Sequence, residues 1–148
     1  MRAYERERDE FRDHVIALKR RRRVSVGPIV TLVFENRDTI RFQIQEMARA
    51  ERMLTDEAIS TELDTYNPLI PEPGSLSATL FIELRSEAEL REWLPKLVGI
   101  ERAVELRLGG GSVIASIPEE AHAGMLTRED TTASVHYVRW ELDPAEIE

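Results

Sequence analysis

Five stretches of the chain show the apolar and polar pattern of β-strands. In the clearest, residues 76–84, apolar side chains alternate with polar ones, which predicts a strand of an antiparallel sheet with one buried face and one wetter face. The predicted strands cover residues 24–34, 76–84, 103–108, 112–117 and 132–142. The first is interrupted at Gly27 and Pro28. Because proline lacks the N–H that a central ladder needs, this point is an edge, a bulge or the break between two short pieces.

Turn-forming residues separate these stretches. The triple glycine at residues 109–111 joins the third and fourth strands and predicts a hairpin. Prolines and a glycine make residues 66–75 a loop. Its apolar pair, Leu69 and Ile70, favours a loop that is pinned onto the body of the protein, although a lid over a site has the same pattern.

Helices are predicted between the strands. A loose apolar stripe runs through residues 3–21, and Thr55 can cap the start of a later short helix. A capping box at Ser86 opens another helix, which Pro95 should kink or end. A last short helix is predicted over residues 118–125.

The helix that follows the first strand is the most informative element. Either Asn36 or Asp38 can cap its N-terminus. At about 100° per residue, Ile40 and Ile44 lie in one apolar sector, and Phe42 lies in a second sector roughly opposite. We therefore expect this helix to pack against two neighbouring elements.

A polar face separates the two apolar sectors of this helix. The candidate ligand- or partner-binding residues along the helix are Arg37, Arg41, Gln45, Glu46, Arg49 and Arg52. One interpretation is an arginine-lined groove for an anionic ligand or an acidic partner, because the planar guanidinium bonds carboxylate and phosphate in pairs. The other is a solvated face, since Glu46 stands three residues before Arg49 and Asp38 three before Arg41, and such exposed pairs are common and weak.

Glu51 falls within the first apolar sector of the same helix. A buried carboxylate is stable only when it is paired, so this position predicts a partly buried Glu51 bonded to a base, unless it lies at the end of the stripe. The final strand offers two candidate site residues as partners, His136 and Arg139, which lie on opposite faces. His136 shares the face of Val138 and Trp140 and is the better partner. The alternative is that His136 is only a buried core residue whose ring nitrogens are satisfied by hydrogen bonds.

Charge and composition narrow the function. The net charge of −8 opposes nucleic acid binding, and the one basic run, residues 19–23, is explained more simply by cations at a helix C-terminus. The absence of cysteine excludes disulfides, thiolate zinc sites, cysteine-ligated clusters and cysteine nucleophiles. No apolar run approaches the roughly 20 residues that span a bilayer, and the N-terminal region has no signal core. We therefore expect a cytoplasmic protein with no membrane partner.

No catalytic or metal-binding motif stands out. The three histidines, His14, His122 and His136, have no spacing typical of metal ligands, so neither a metal nor a resident cofactor is expected. The triple glycine lacks the rest of a phosphate-binding loop, and neither GxSxG nor GxGxxG is present. The sequence leaves open whether the protein is an enzyme.

Several segments resemble a bacterial family known as domain-of-unknown-function family 3501. They are residues 34–47, 66–71 and 135–139, together with residues 4–8 and the basic run at residues 19–23. The resemblance covers nearly the whole chain. The resemblance implies that members of the family are encoded beside rubrerythrin-like di-iron proteins and an iron–sulfur protein related to heterodisulfide reductase. That position implies a role near peroxide or redox metabolism. The resemblance assigns no activity and no functional residues.

These observations predict a single α+β domain over residues 1–148, with a mainly antiparallel sheet of about five strands and helices mostly on one face. The first functional hypothesis is an accessory or interaction protein for a redox or peroxide-related system, with the metal chemistry on a rubrerythrin-like or iron–sulfur partner. The alternative is a small-molecule enzyme or sensor that binds an anion at the arginine-lined helix face. Strand order and oligomeric state are not determined by the sequence.

Overall fold

The computed structural model describes residues 2–53, 55–118 and 134–143. In these ranges the helices are α1 (Arg2–Arg22), α2 (Arg37–Ala50), α3 (Asp56–Tyr66) and α4 (Glu87–Trp93). The strands are β1 (Arg23–Val26), β2 (Val30–Phe34), β3 (Ser75–Ile82), β4 (Glu105–Arg107), β5 (Val113–Ala115), β6 (Ile117–Pro118) and β7 (Val135–Glu141). Short 3-10 helices cover Asn67–Leu69, Leu94–Leu97 and Ile100–Arg102.

Five strands form one antiparallel sheet in the order β1-β2-β3-β7-β6. The predicted α+β fold with a five-stranded antiparallel sheet is confirmed, but the assignment of strands to that sheet was partly wrong. The glycine hairpin forms as predicted, yet β4 and β5 make a separate two-stranded sheet. Of the three possibilities at Gly27 and Pro28, the break between two short strands is confirmed, because the chain turns there with Gly27 at a left-handed φ of 67°.

The two faces of the five-stranded sheet differ in composition. The apolar face carries the main buried cluster of Leu32, Ala78, Leu80, Ile82, Val138 and Trp140. The β4–β5 hairpin and the chain after α4 cover this face through Leu94, Leu97, Ile100, Val104, Leu106 and Ile114. The polar face carries buried Thr31, Ser77 and Thr79, and α2 packs over it through Ile40 and Ile44. The longer helices thus lie on one face, and a layer of short segments covers the other.

Local sequence sets both ends of α2. Asn36 Oδ1 accepts a hydrogen bond from Thr39 N at 2.9 Å, and Thr39 Oγ1 accepts one from Asn36 N at 2.9 Å, so the two residues form a capping box. At the other end Glu51 is the C-cap, and Arg52 adopts a left-handed φ of 50°.

The predicted neighbours of α2 are both present. On one side, the rings of Phe11 in α1 and Phe42 in α2 meet edge to face with centroids 6.0 Å apart. On the sheet side, the proline-rich loop is pinned beside α2, because Leu69 is buried and its carbonyl accepts a hydrogen bond from Ser77 Oγ at 2.6 Å. The pinned form of this loop is therefore confirmed.

Two predicted features fall partly beyond the described ranges. The short helix over residues 118–125 lies outside them, except for Pro118, which belongs to β6 instead. Residues 132–133 of the final predicted strand also lie outside them. Among the described helices, none is both long enough and apolar enough to cross a membrane.

Candidate ligand site along the central helix

Charged side chains of α2 pair with charged side chains of α1, which runs antiparallel to it. The pairs are Arg41 with Glu7, Arg49 Nε with Glu5 Oε1 at 2.9 Å, Glu46 Oε1 with Arg8 Nη2 at 2.9 Å, and Asp38 Oδ2 with His14 Nε2 at 3.0 Å. The guanidinium of Arg41 also stacks over the Phe11 ring, 4.5 Å from its centroid. Arg41 and Arg49 are therefore paired, but with acids of α1 rather than with acids one turn away in α2.

Glu46 is enclosed by two side chains of α1. Tyr4 is 3% exposed, and its hydroxyl donates to Glu46 Oε2 at 3.1 Å. Burial, reinforced by this hydrogen bond, raises the pKa of Tyr4 to about 12. The hydrogen bond from Arg8 holds the pKa of Glu46 below its usual range. This predicted binding residue therefore joins the two helices.

A groove between α2 and α3 contains three of the predicted residues. Arg37, Arg41 and Gln45 follow each other at four-residue spacing, which places them in one row along α2. The groove has a volume of about 600 Å³, and its apolar lining consists of Ile44, Ile59, Leu63 and Ile70. Within the described chain, Arg37 forms no ion pair or hydrogen bond, and the buried Gln45 Oε1 has no hydrogen-bond donor.

The remaining predicted residues lie away from this groove. Arg52 is exposed beyond the end of α2. Arg139 lies on β7 with Nε 3.3 Å from Glu141 Oε1, and it lines a separate depression of about 500 Å³ beside residues 67–75. His136 lies on the apolar face of the sheet. The predicted set is thus divided among the α1 interface, the α2–α3 groove and the two faces of β7, and Arg52 lies in none of these places.

The prediction for Glu51 is wrong. Glu51 is exposed and bonds to neither His136 nor Arg139. Its helical angle pointed inward, but α2 ends at Ala50, so the periodicity no longer applies there. The choice of His136 fails as well, because α2 covers the opposite face of the sheet. His136 is buried as predicted, at 2% exposed, and its acidic neighbour is Glu101, with Nδ1 4.0 Å from Oε2.

Comparisons with known proteins identify the family but not its activity. A family model described as "Protein of unknown function (DUF3501)" matches residues 1–148. The chain belongs to this family. A crystal structure from Burkholderia pseudomallei, titled a novel protein of unknown function, is similar to it, with 40% identity and a TM-score of 0.88 over 98% of this chain and 74% of that chain. No curated protein matches this sequence.

In this DUF3501 member the sequence analysis missed a buried acid, Glu35. The residue is 9% exposed and lies beneath α2 on the polar face. Its Oε1 accepts a hydrogen bond from Thr79 Oγ1 at 2.7 Å, and its Oε2 accepts one from the Thr39 hydroxyl. A signal was present in the sequence, because Glu35 continues the alternation of Thr31 and Val33 along a covered face.

Proposed function

We propose that this DUF3501 protein binds a small anionic molecule with an apolar body in the groove between α2 and α3. One observation carries the proposal. Arg37, which has no partner in the described chain, shares an apolar-lined groove with the buried, unbonded oxygen of Gln45. A buried acceptor without a donor is costly, and a ligand that supplies the donor removes that cost.

Positive charge in the groove comes mainly from Arg37. The Glu7 carboxylate already neutralises Arg41, whereas Arg37 is not matched by an acid among the described residues. Arg37 is also the first residue of α2, where the helix dipole adds positive potential. Its guanidinium can bond a carboxylate or phosphate through two parallel hydrogen bonds. We expect the anionic group of the ligand to bind there.

The apolar lining selects the rest of the ligand. Leu63 is 39% exposed, and Ile59 and Ile70 are half-buried, so a hydrocarbon body would remove apolar surface from water. A hydroxyl or N–H of the ligand could donate to Gln45. The proposed ligand class is therefore an organic carboxylate or phosphate ester with an apolar body, and a member that also carries a hydrogen-bond donor for Gln45 should bind more tightly than one without it.

Isothermal titration calorimetry with octanoate tests this proposal. Octylamine is the probe with the opposite charge, and inorganic phosphate is the probe without an apolar body. We expect octanoate to bind most tightly and Arg37→Ala to weaken its binding by about 10- to 100-fold, since a charge-assisted hydrogen bond contributes about 1.5–3 kcal/mol.

Arg52→Ala is the matched control, because Arg52 follows the same helix but lies outside the groove. It should leave octanoate affinity unchanged. Octylamine binding as tightly as octanoate, or equal losses in the two arginine variants, would contradict the proposal.

The accessory role implied by the family resemblance is a second proposal. The position of β1 supports this proposal. β1 is an edge strand of the described sheet, and its residues are exposed, with Val24 at 44% and Val26 at 47%. Such an edge can pair with a strand of another chain. The proposed partner is a rubrerythrin-like or iron–sulfur protein, which would carry the metal because this chain has no cysteine ligands.

Anaerobic co-purification from the native cell tests the accessory role. We expect such a metalloprotein to co-purify with the unaltered chain and to be lost from a Val26→Lys variant, because a charge on the edge discourages strand pairing. A chain that elutes as a monomer or homodimer, with no metalloprotein attached, would argue against this role.

A further inference from the structure

A second cavity, distinct from the groove, lies between α2 and the polar face of the sheet. Its volume is about 250 Å³. Its polar lining includes Lys19 of α1, Gln43 of α2 and Glu35, which directly follows β2. Phe81 on β3 contributes apolar lining. None of these residues belongs to the groove proposed above.

The carboxylate of Glu35 is buried and forms no ion pair within the described chain. Both hydrogen-bond partners of its carboxylate, the hydroxyls of Thr39 and Thr79, are neutral. Arg22 Nη1 donates at 3.4 Å to the backbone carbonyl of Glu35 rather than to the carboxylate. A buried carboxylate is most stable beside a compensating positive charge, and each of its oxygens can accept a further hydrogen bond. The cavity provides the space in which a cationic group could reach it.

Lys19 supplies the opposite charge in the same cavity. Its Nζ lies 6.0 Å from the centroid of the Phe42 ring, and it forms no ion pair with an acid of the described chain. Tyr137, which also lines the cavity, stays neutral at physiological pH, because burial, then the nearby Tyr66 and Glu35, raise its pKa. An acid and a base that share a cavity without pairing suit a molecule that carries both charges.

We propose that this cavity binds a small zwitterion of the amino-acid class, with its ammonium group on Glu35 and its carboxylate toward Lys19. The volume lies below the roughly 300–1,000 Å³ of pockets for drug-sized ligands, which limits the ligand to about the size of an amino acid. Gln43 has an amide that can donate and accept, and Phe81 can contact an apolar side chain.

Matched probes test the contributions of the ligand's ammonium group and of its carboxylate separately. The panel consists of L-alanine, L-valine and L-leucine, each with the amine that lacks its carboxylate and the carboxylic acid that lacks its amine. Binding is measured by calorimetry and by the rise in melting temperature, because a ligand selective for the native state raises it. We expect at least one amino acid to bind, and both of its truncated analogues to bind at least tenfold more weakly.

Two glutamines of α2 provide matched variants. Gln43→Leu changes the cavity, whereas Gln45→Leu makes the same substitution two residues away in the groove. Glu35→Gln removes the buried charge and keeps the shape, and Lys19→Met removes the cation. We expect Gln43→Leu and Glu35→Gln to weaken amino-acid binding at least tenfold. The Lys19→Met variant should bind the amino acid no more tightly than it binds the amine that lacks the carboxylate. Gln45→Leu should leave the affinity for the amino acid unchanged.

Several results would overturn the proposal. They are the absence of binding by any amino acid of the panel, equal binding of an amine and its parent amino acid, and unchanged affinity in Gln43→Leu and Lys19→Met. The last two variants keep the test valid if Glu35→Gln does not fold, because Lys19 and Gln43 are only half-buried. Arg37→Ala, which tests the groove, should leave amino-acid binding intact. The proposals for the groove and for the cavity can therefore be rejected independently.

Discussion

The two faces of the five-stranded sheet are stabilised in different ways. Leu80 and Thr79 are neighbours on β3, and both are buried, but Leu80 lies within an aliphatic and aromatic cluster while Thr79 donates a hydrogen bond to Glu35. Apolar burial is non-directional and close-packed, whereas a buried polar face requires specific partners. Both proposed sites lie among the helices on the polar side. In the cavity beneath α2, the directional groups Glu35, Thr39 and Thr79 are part of the lining.

The largest expected effect is on the apolar face. Leu80→Ala should lower the free energy of unfolding by about 2–5 kcal/mol, because it removes a fully buried side chain and leaves a cavity. Urea denaturation measures the loss. Leu63→Ala, at an apolar residue that is 39% exposed, is the control and should cost much less. A loss below about 1 kcal/mol for Leu80→Ala would mean that this face is not the main source of stability.

An intermediate effect is expected on the polar face. Thr79→Val keeps the shape of the side chain but deprives the buried Glu35 carboxylate of a donor, which should cost about 1–3 kcal/mol. Thr31→Val is the matched control, because Thr31 is buried on the same face and its hydroxyl makes no hydrogen bond within the described chain. Equal stability of the two variants in urea would contradict a directional role for Thr79.

A smaller, pH-dependent effect is expected between α1 and α2. The folded protein holds the pKa of Glu46 below its unfolded value of about 4.3, so this carboxylate stabilises the fold above that pH. The stabilisation is lost as the pH falls through the lowered pKa. Glu46→Gln should therefore destabilise the protein by about 1 kcal/mol at pH 7, and by less as the pH falls toward 3.

Urea denaturation of the unaltered protein and of Glu46→Gln between pH 7 and pH 3 measures the difference in their free energies of unfolding. Glu87→Gln is the control, since Glu87 pairs with Arg91 on the exposed surface of α4. A destabilisation by Glu46→Gln that stays constant from pH 7 to pH 3 would show that ionisation of Glu46 is not its source.

The smallest effect is expected at Glu51. Because the side chain is exposed at the C-cap of α2, Glu51→Ala should change the free energy of unfolding by no more than about 0.5 kcal/mol. The urea midpoint of this variant tests the placement directly. A loss of about 3 kcal/mol would instead indicate a buried ion pair and restore the prediction made from helical periodicity.

The candidate sites were only partly predictable. The row of Arg37, Arg41 and Gln45 follows from four-residue spacing within one helix, so the sequence identified these residues. It did not show that Glu7 would neutralise Arg41 and leave Arg37 without an acid, because that depends on how α1 lies against α2. The buried Glu35 was missed for a similar reason, since both of its hydrogen-bond donors had to be brought to it by the fold.

The sequence by itself determined the features that neighbouring residues control. A polar cap starts α2 at Asn36, one of the two residues that the sequence offered, the triple glycine closes a hairpin, and the alternation along β3 separates an apolar face from a polar one. Only the tertiary structure decided that α2 covers the polar face, that the glycine hairpin covers the apolar face, and that Glu101 rather than Glu51 lies beside His136. The physical reason is the separation along the chain of the residues that decide each feature. Caps, turns and periodicity depend on residues a few positions apart, whereas the choice of face depends on competition between layers that are distant in the chain.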